Sequence, residues 1–361
     1  MKKFFSKVKD KFSVHFISSF KKEKKKKEKR KLNRREKILK YTAIVLLPTL
    51  AIASGVVLGF REFNAKKGGG TTNQVVITTN GIKRKIFLVS EDNYTVPITV
   101  TLDQRTTLQQ EILDVFDLLK TSSKANSTYV SGFINDNTKI TSFNLSNKVL
   151  ELNLSEEFLD SKYNDVNVIE ALTLTFLQFD EIDELRLMVD GQLLTSYNDV
   201  PLPSSLDYGF GINQEIANIR DIKGKEKVIV FARRNYDSNT EYLIPVSVYA
   251  EKGKSKNITF ANAVKKNFTS GSLLKKVDLY KGISSEQTES DDFVLSVNST
   301  SLSDEDYVNK DLFDLVNLSL QLMNIDQTVS FTLEGESVQV DGVYELEDYK
   351  VSSTIINEVK I

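Results

Sequence analysis

The chain has 361 residues, with 48 Lys/Arg against 49 Asp/Glu and a formal net charge of −1, which is length enough for two ordinary domains plus extras. It contains no cysteine and one histidine, His15. That excludes disulfides, thiol catalysis, cysteine- or histidine-based metal sites in the body and a Ser-His-Asp triad.

The near-neutral total hides a division. Residues 1–40 carry 18 basic and 4 acidic side chains, a net of +14, which leaves −15 for the rest. A basic tail on an acidic body is the reading. Within the tail, Phe4, Val8, Phe12, Phe16 and Phe20 recur every fourth residue among lysines. On a helix this makes an aromatic stripe with basic flanks, suited to an anionic lipid surface. Lysine runs also neutralise nucleic-acid phosphates, but no nucleic-acid-binding motif accompanies them, so membrane lipids are the expected partner and nucleic acid is not. A tail that only enforces topology is the plain alternative.

From Tyr41 to Phe60, 20 residues pass without a charge. As a helix they rise about 30 Å, the thickness of a hydrocarbon core. The basic run Lys21 to Lys40 abuts one end, which holds that end in the cytoplasm. A single transmembrane helix at 41–60 is expected, with residues 1–40 cytoplasmic and everything later extracellular. The rivals are a buried soluble helix and a cleaved signal peptide, for which Ala51 to Gly55 offers small residues. Residues 61–80, with Gly68 to Gly70, read as a linker.

The body then repeats itself. Arg84 to Ser90 matches Glu226 to Ala232, and Pro97 in Thr95 to Leu102 aligns with Pro245 in Leu243 to Ala250, 148 residues on. Val149 to Asp160 (VLELNLSEEFLD) matches Phe293 to Asp304, pairing Asn153 with Asn298. Leu185 to Gln192 matches Val329 to Glu336, setting Gly191 against Gly335, 144 residues on. Four segments in one order at nearly constant offset are a tandem duplication, and the period is far too long for a solenoid. Each copy predicts two leading strands, the second with a proline that an edge position tolerates. A helix follows, about Leu108 to Leu119 and about Phe260 to Phe268. Next come the VLELNL-type strand and a second helix, whose apolar stripe is Ile169, Leu172, Phe176 and Phe179, or Phe313, Val316, Leu320 and Met323. A last strand ends at Asp190-Gly191 or Glu334-Gly335. The expected fold class is α+β: two tandem copies of a small domain, each with two helices on a mostly antiparallel sheet, preceded by the single transmembrane helix. The expected division is 81–195 for the first copy, 196–224 for the connection, 225–342 for the second copy and 343–361 for a C-terminal tail.

VLELNLSEEF, the stretch Val168 to Gln192 and the stretch Pro201 to Asn213 resemble the GerMN-domain family, over roughly residues 80–342 and more specifically in the first copy. The resemblance implies a sporulation, germination or cell-envelope setting, a fold like the α+β ring-building modules of envelope assemblies, and an extracytoplasmic, membrane-attached, non-enzymatic role. The tandem protein it resembles looks like a lipoprotein, whereas this chain has no cysteine to lipidate.

Little in the sequence marks chemistry. Asp180, Glu181, Asp183 and Glu184 lack the alternating ligands and central glycine of a calcium loop and read as a solvated turn. Asp304, Glu305 and Asp306 are expected to open a helix. No nucleophile elbow, phosphate loop or dinucleotide fingerprint occurs, and Asn126-Ser127-Thr128 is taken as background. No catalytic, cofactor-binding or metal residue is therefore assigned, and no cofactor is expected. The expected function is a membrane-anchored interaction or scaffold protein, with protein partners in the envelope or self-association. The alternatives are a ligand-binding or sensing module with a wall fragment or solute between the copies, and an extracellular hydrolase using paired carboxylates.

Overall fold

In β5 (Val149–Leu154), Leu150, Leu152 and Leu154 are fully buried while Val149, Glu151 and Asn153 are half-buried, the alternation a half-covered strand requires. The computed structural model describes residues 81–361 except 164, 216–219, 221, 304–305, 344–353 and 360. The basic tail, the expected membrane helix and the linker lie outside the described residues. Among the described residues no helix is long and apolar enough to cross a membrane.

The first copy opens with β1 (Ile82–Ser90) and β2 (Thr95–Leu102), an antiparallel hairpin, followed by α1 (Leu108–Leu118). The Thr107 side chain caps α1 by accepting from the Gln110 N–H. β3 (Val130–Ser131) pairs with the end of β1. Next come β4 (Ile140–Ser146), β5, α2 (Asn167–Phe176), β6 (Glu184–Val189) and β7 (Gln192–Leu193). A small hairpin, β8 (Ser196–Tyr197) with β9 (Val200–Pro201), ends the copy. The second copy has β10 (Lys225–Asn235), β11 (Glu241–Glu251), α3 (Lys256–Lys265), β12 (Lys275–Lys276), β13 (Val294–Val297), α4 (Lys310–Leu322), β14 (Ser330–Leu333) and β15 (Glu336–Val338).

The fold is α+β, but each copy holds two sheets rather than one. They run β2-β1-β3 and β4-β5-β6-β7 in the first copy, and β11-β10-β12 and β13-β14-β15 in the second. Strand pairs within these sheets are antiparallel except β5–β6 and β13–β14. Those two pairs are parallel because α2 or α4 carries the chain back between them. The turns at Asp190-Gly191 and Glu334-Gly335 have both residues at positive φ, 46° and 78° in one, 52° and 88° in the other. These are the two-residue hairpin turns that match strand twist.

Three expectations need correction. β4 was not anticipated: its sequence, ITSFNLS, alternates only over Phe143 to Ser146, the phase breaks at Thr141-Ser142, and it pairs with β5 through a register shift at Ile140/Ser142. In the second copy this strand is reduced to a bridge from Ile283 to Val297, with Gln287 bonding both the N–H and the C=O of Ser296. Second, α3 begins at Lys256 and ends before Phe268. Third, Asp306 does not open α4. It sits at φ 63°, outside helical geometry, and the cap is Asn309, whose side chain accepts from the Asp311 N–H. Asp304 and Glu305 lie outside the described residues.

The hairpin register also moves the match between copies. Phe87 faces Pro97 and Phe231 faces Pro245, so Phe87 corresponds to Phe231, two residues beyond the sequence match. An even slip leaves every side chain on its face. A proline cannot donate, and the N–H of the residue opposite turns away from it. The Phe87 N–H donates to Thr175 Oγ1 on α2 at 2.8 Å, and the Phe231 N–H donates to the Tyr280 hydroxyl at 3.1 Å. Thr175 thus joins α2 to β1 in the buried core. Thr175→Val keeps the shape and orphans the Phe87 N–H, so unfolding in urea should show a loss of about 1–3 kcal/mol.

Candidate functional site at the junction of the copies

The second strand of each leading hairpin, β2 or β11, is an edge strand of its own sheet, and its outer edge must find partners. Those partners are supplied by the segments that follow each copy, and they are exchanged. After the first copy, the Ile212 C=O accepts from the Ser247 N–H on β11 at 2.8 Å, and the Glu215 N–H donates to the Ser247 C=O. After the second copy, the Ile356 C=O accepts from the Thr99 N–H on β2 at 3.0 Å, and the Val359 N–H donates to the Thr99 C=O. The side chains of Ser247 and Thr99 complete the match by accepting from the Ile212 and Ile356 N–H groups, each at 2.9 Å.

Between the strands sit two asparagines. Asn213 accepts from the Thr95 N–H at 2.8 Å, and its amide donates to the C=O of Thr95 (2.7 Å) and of Pro245 (2.9 Å). Asn357 accepts from the Leu243 N–H at 2.9 Å and donates to the C=O of Leu243 and of Pro97, both at 2.8 Å. Asn357 stands 144 residues after Asn213, and Leu243 and Pro245 stand 148 after Thr95 and Pro97. Each amide therefore holds one strand residue of its own copy and the proline carbonyl of the other. Asparagine suits the place twice over. Its amide carries donors and an acceptor, and it tolerates the left-handed φ of 44° and 48° found here. Gly211, before the first clasp, has φ 88°, and a side chain there would press on Ser247 and Lys227.

A second network ties the two hairpin ends. Asp92 accepts from Arg234 Nε at 2.7 Å and from the Tyr236 hydroxyl at 2.6 Å, and Tyr129 stacks on Tyr236 at 4.8 Å. Burial opposes ionisation of Asp92, but hydrogen bonds from Ser90, Tyr236 and Arg234 hold its carboxyl below the usual range.

Glu170 of α2 lies under the first clasp and is 3% exposed. Its Oε2 accepts from the Asn213 N–H at 3.0 Å and from Thr95 Oγ1 at 3.1 Å. Burial pushes its carboxyl up to about 7, against the pull of those bonds. Beside it a cleft of about 280 Å³ opens between Asn93, Tyr94, Val166, Asn167 and Phe210. At the matching place in the second copy a cleft of about 350 Å³ is lined by Arg233, Leu243, Asp278, Leu315, Leu318 and Ile355.

The sequence-flagged acids lie elsewhere. Asp183 pairs with Lys148 at 3.2 Å and Glu184 accepts from Ser205 Oγ, while Asp180 and Glu181 are exposed in a turn. Among the described residues no group of three or more His, Asp or Glu is placed to hold a metal. Asn126 is structural, bonding the Thr121 C=O and the Gly132 N–H. Sequence reasoning did not single out Asn213, Asn357, Glu170 or Asp92. The signal for the first two was present: an Ile-Asn pair recurring at the Gly191/Gly335 offset.

A family model described as sporulation and spore germination matches residues 78–195. The spore germination protein GerM of Bacillus subtilis (strain 168) is a relative at 25% identity over 195 residues, covering 50% of this chain and 50% of that protein. The match thus spans about half the length of that relative. The solved tandem GerMN domains of the sporulation protein GerM from Bacillus subtilis superpose with a TM-score of 0.60 at 17% identity. They cover 72% of this chain and 97% of that one, a likeness of fold.

Two outcomes follow for the junction. Asn213→Ala and Asn357→Ala each orphan buried backbone groups of both copies. Each should cost at least about 2 kcal/mol in denaturant unfolding, and both should loosen the two copies together. Glu170 has a folded pKa above its unfolded value, so its contribution is fully present below the unfolded pKa and lost as pH rises through 7. Stability should fall by about 3 kcal/mol between pH 4 and 8 on this account. Glu170→Gln, which keeps an acceptor for Asn213 and Thr95, should flatten that part of the pH profile.

Proposed function

The chain is a GerM-like member of the GerMN-domain family, and on that premise we propose that it is a membrane-anchored, extracytoplasmic interaction protein of a sporulation or germination assembly. In this reading the 41–60 helix anchors the chain with its basic tail on anionic lipid inside, and the two copies stand outside the cell as one unit. Support for the setting comes from the curated relative's name and from the family match. Support for the anchor comes from the uncharged 20-residue stretch and its basic flank.

The observation that carries the interaction reading is the outer edge of β4. It is a seven-residue strand that, among the described residues, pairs only with β5, and it contains no charge and no proline. Soluble proteins usually blunt such an edge with lysine, proline or a covering loop. Here the blunting is a register shift near Ile140 at one end; in the second copy, which lacks this strand, the edge belongs to β13, the counterpart of β5, and Gln287 closes it at Ser296. The first copy thus offers backbone donors and acceptors to a strand from a neighbouring protein of the assembly. The inner edges at β2 and β11, by contrast, are consumed by the clasp.

Ser142 and Asn144 are both exposed on one face of β4. Ser142→Lys with Asn144→Lys should leave the fold intact and block strand addition. Sedimentation velocity of residues 78–361 over a wide concentration range, alone and with envelope extract of the source organism, reads this out. Concentration-dependent or partner-dependent assembly lost in the double variant is expected. A wild-type protein that stays monomeric and takes no partner would overturn the reading.

A further inference from the structure

The two copies disagree at one charge. In α4, Asp314 receives Lys310 Nζ at 2.5 Å, one helical turn earlier. The residues at the same offset in α2 are Glu170 and Val166. The first copy therefore keeps the carboxylate and replaces its ammonium partner by an isopropyl group. Val166 is also a wall of the 280 Å³ cleft, so the position that carries the second copy's lysine borders this cleft without a charge.

What remains around that cleft is made of acceptors. Glu170 Oε2 takes both protein bonds described above, and Oε1 accepts from none of the described residues. Asn167 spends its amide N–H groups on the Asn93 C=O, Thr95 Oγ1 and Asn213 Oδ1, and its own Oδ1 accepts from none of the described residues. Both residues are over nine-tenths buried. Tyr94 and Phe210, half-buried, supply aromatic walls, and the lining includes no Lys or Arg. A buried carboxylate needs a counter-charge or a proton. Aromatic faces favour cations.

We propose that this cleft binds a primary ammonium group carried on a small hydroxylated ligand, such as an amino sugar, with Glu170 as its counter-ion and Asn167 as a second acceptor. The volume lies just below the range of drug-sized sites, which suits one sugar ring. The second copy's cleft has acids of its own, Glu241, Asp278 and Asp311, but it also holds Arg233, which pairs with Glu241 and Asp278, and it serves as an internal control with a built-in cation. The site stands apart from the β4 edge, so either reading can fail without the other.

Ionisation is part of the mechanism. Glu170 gives up its proton as the ammonium arrives, so binding releases a proton near neutral pH. The charged groups facing it are Asp165 ahead of α2 and Lys227 from β10. Glu215 sits on the rim, held by Thr269 and by Ser272 Oγ at 2.8 Å. Lys227 is engaged by the Gly209 C=O.

The test uses the full chain in mild detergent, titrated calorimetrically with glucosamine, glucose, N-acetylglucosamine and n-butylammonium in two buffers of different ionisation enthalpy. Glucosamine should bind with proton release and with affinity rising about tenfold from pH 5 to 6, while glucose and N-acetylglucosamine should bind at least tenfold more weakly. Binding of n-butylammonium as tight as glucosamine supports the ammonium site and overturns the hydroxylated carrier. Glu170→Gln should weaken glucosamine at least tenfold. Val166→Lys, which restores the second copy's own ion pair, should abolish binding while leaving the circular dichroism spectrum unchanged. Equal binding of glucose and glucosamine, or undiminished binding in a folded Val166→Lys, overturns the proposal.

Discussion

An edge strand beside another edge strand leaves two rows of backbone groups that cannot be left dry and unpaired, and the junction of the two copies is the solution to that constraint. β2 and β11 come too close for a full strand to lie between them at their centre, and a side-chain amide takes its place. One asparagine oxygen and its NH₂ group satisfy three backbone groups at once, and the arrangement is used twice. Because each post-copy segment serves the opposite copy's strand, neither copy completes its own edge. The exchange ties the two copies into one compact unit, residues 78–361.

The same constraint explains α2. An apolar stripe at Ile169, Leu172, Phe176 and Phe179 was legible because it follows helical spacing, and all four are buried. Yet all ten residues of α2 are buried, Asn167 and Glu170 among them. Periodicity reports one buried face and carries no trace of a second cover, here contributed by β1, β2 and Asn213. Buried polar residues on a helix's outer face thus register in sequence as ordinary solvent-facing ones.

The VLELNL strand and the Asp-Gly and Glu-Gly turns were equally readable, since alternation and turn chemistry are local. β4 was not, because its alternation is confined to Phe143 to Ser146 and is put out of phase with Ile140 by the irregularity at Thr141-Ser142. The two-residue displacement of β1 against β10 was invisible for a different reason. Alternation has period two, so any even slip preserves it, and only the partner of each proline in the hairpin fixes the register. The segment set apart as a C-terminal tail contains Ile356 and Asn357, which pair with β2. Their value was hidden by distance: Asn357 meets Pro97 across 260 residues.

Duplication supplies two of everything, and the places where the copies part are where a second role can enter. Asn213 and Asn357 have stayed in step because each is required by both copies, so a change in one strands backbone groups in the other. The flanks of the clasp carry no such reciprocal demand. There one copy has kept an acid with its lysine, and the other has kept the acid and lost the lysine. One copy also has a β4 strand with an open edge, where the other has no such strand and closes β13 with Gln287. A buried carboxylate without its partner costs stability at neutral pH, and donation from Thr95 and Asn213 together with the charge of Lys227 offsets part of that cost. The clasp thus does two things at Asn213: its side chain joins the copies, and its backbone N–H keeps a charged group in a place that packing alone would reject.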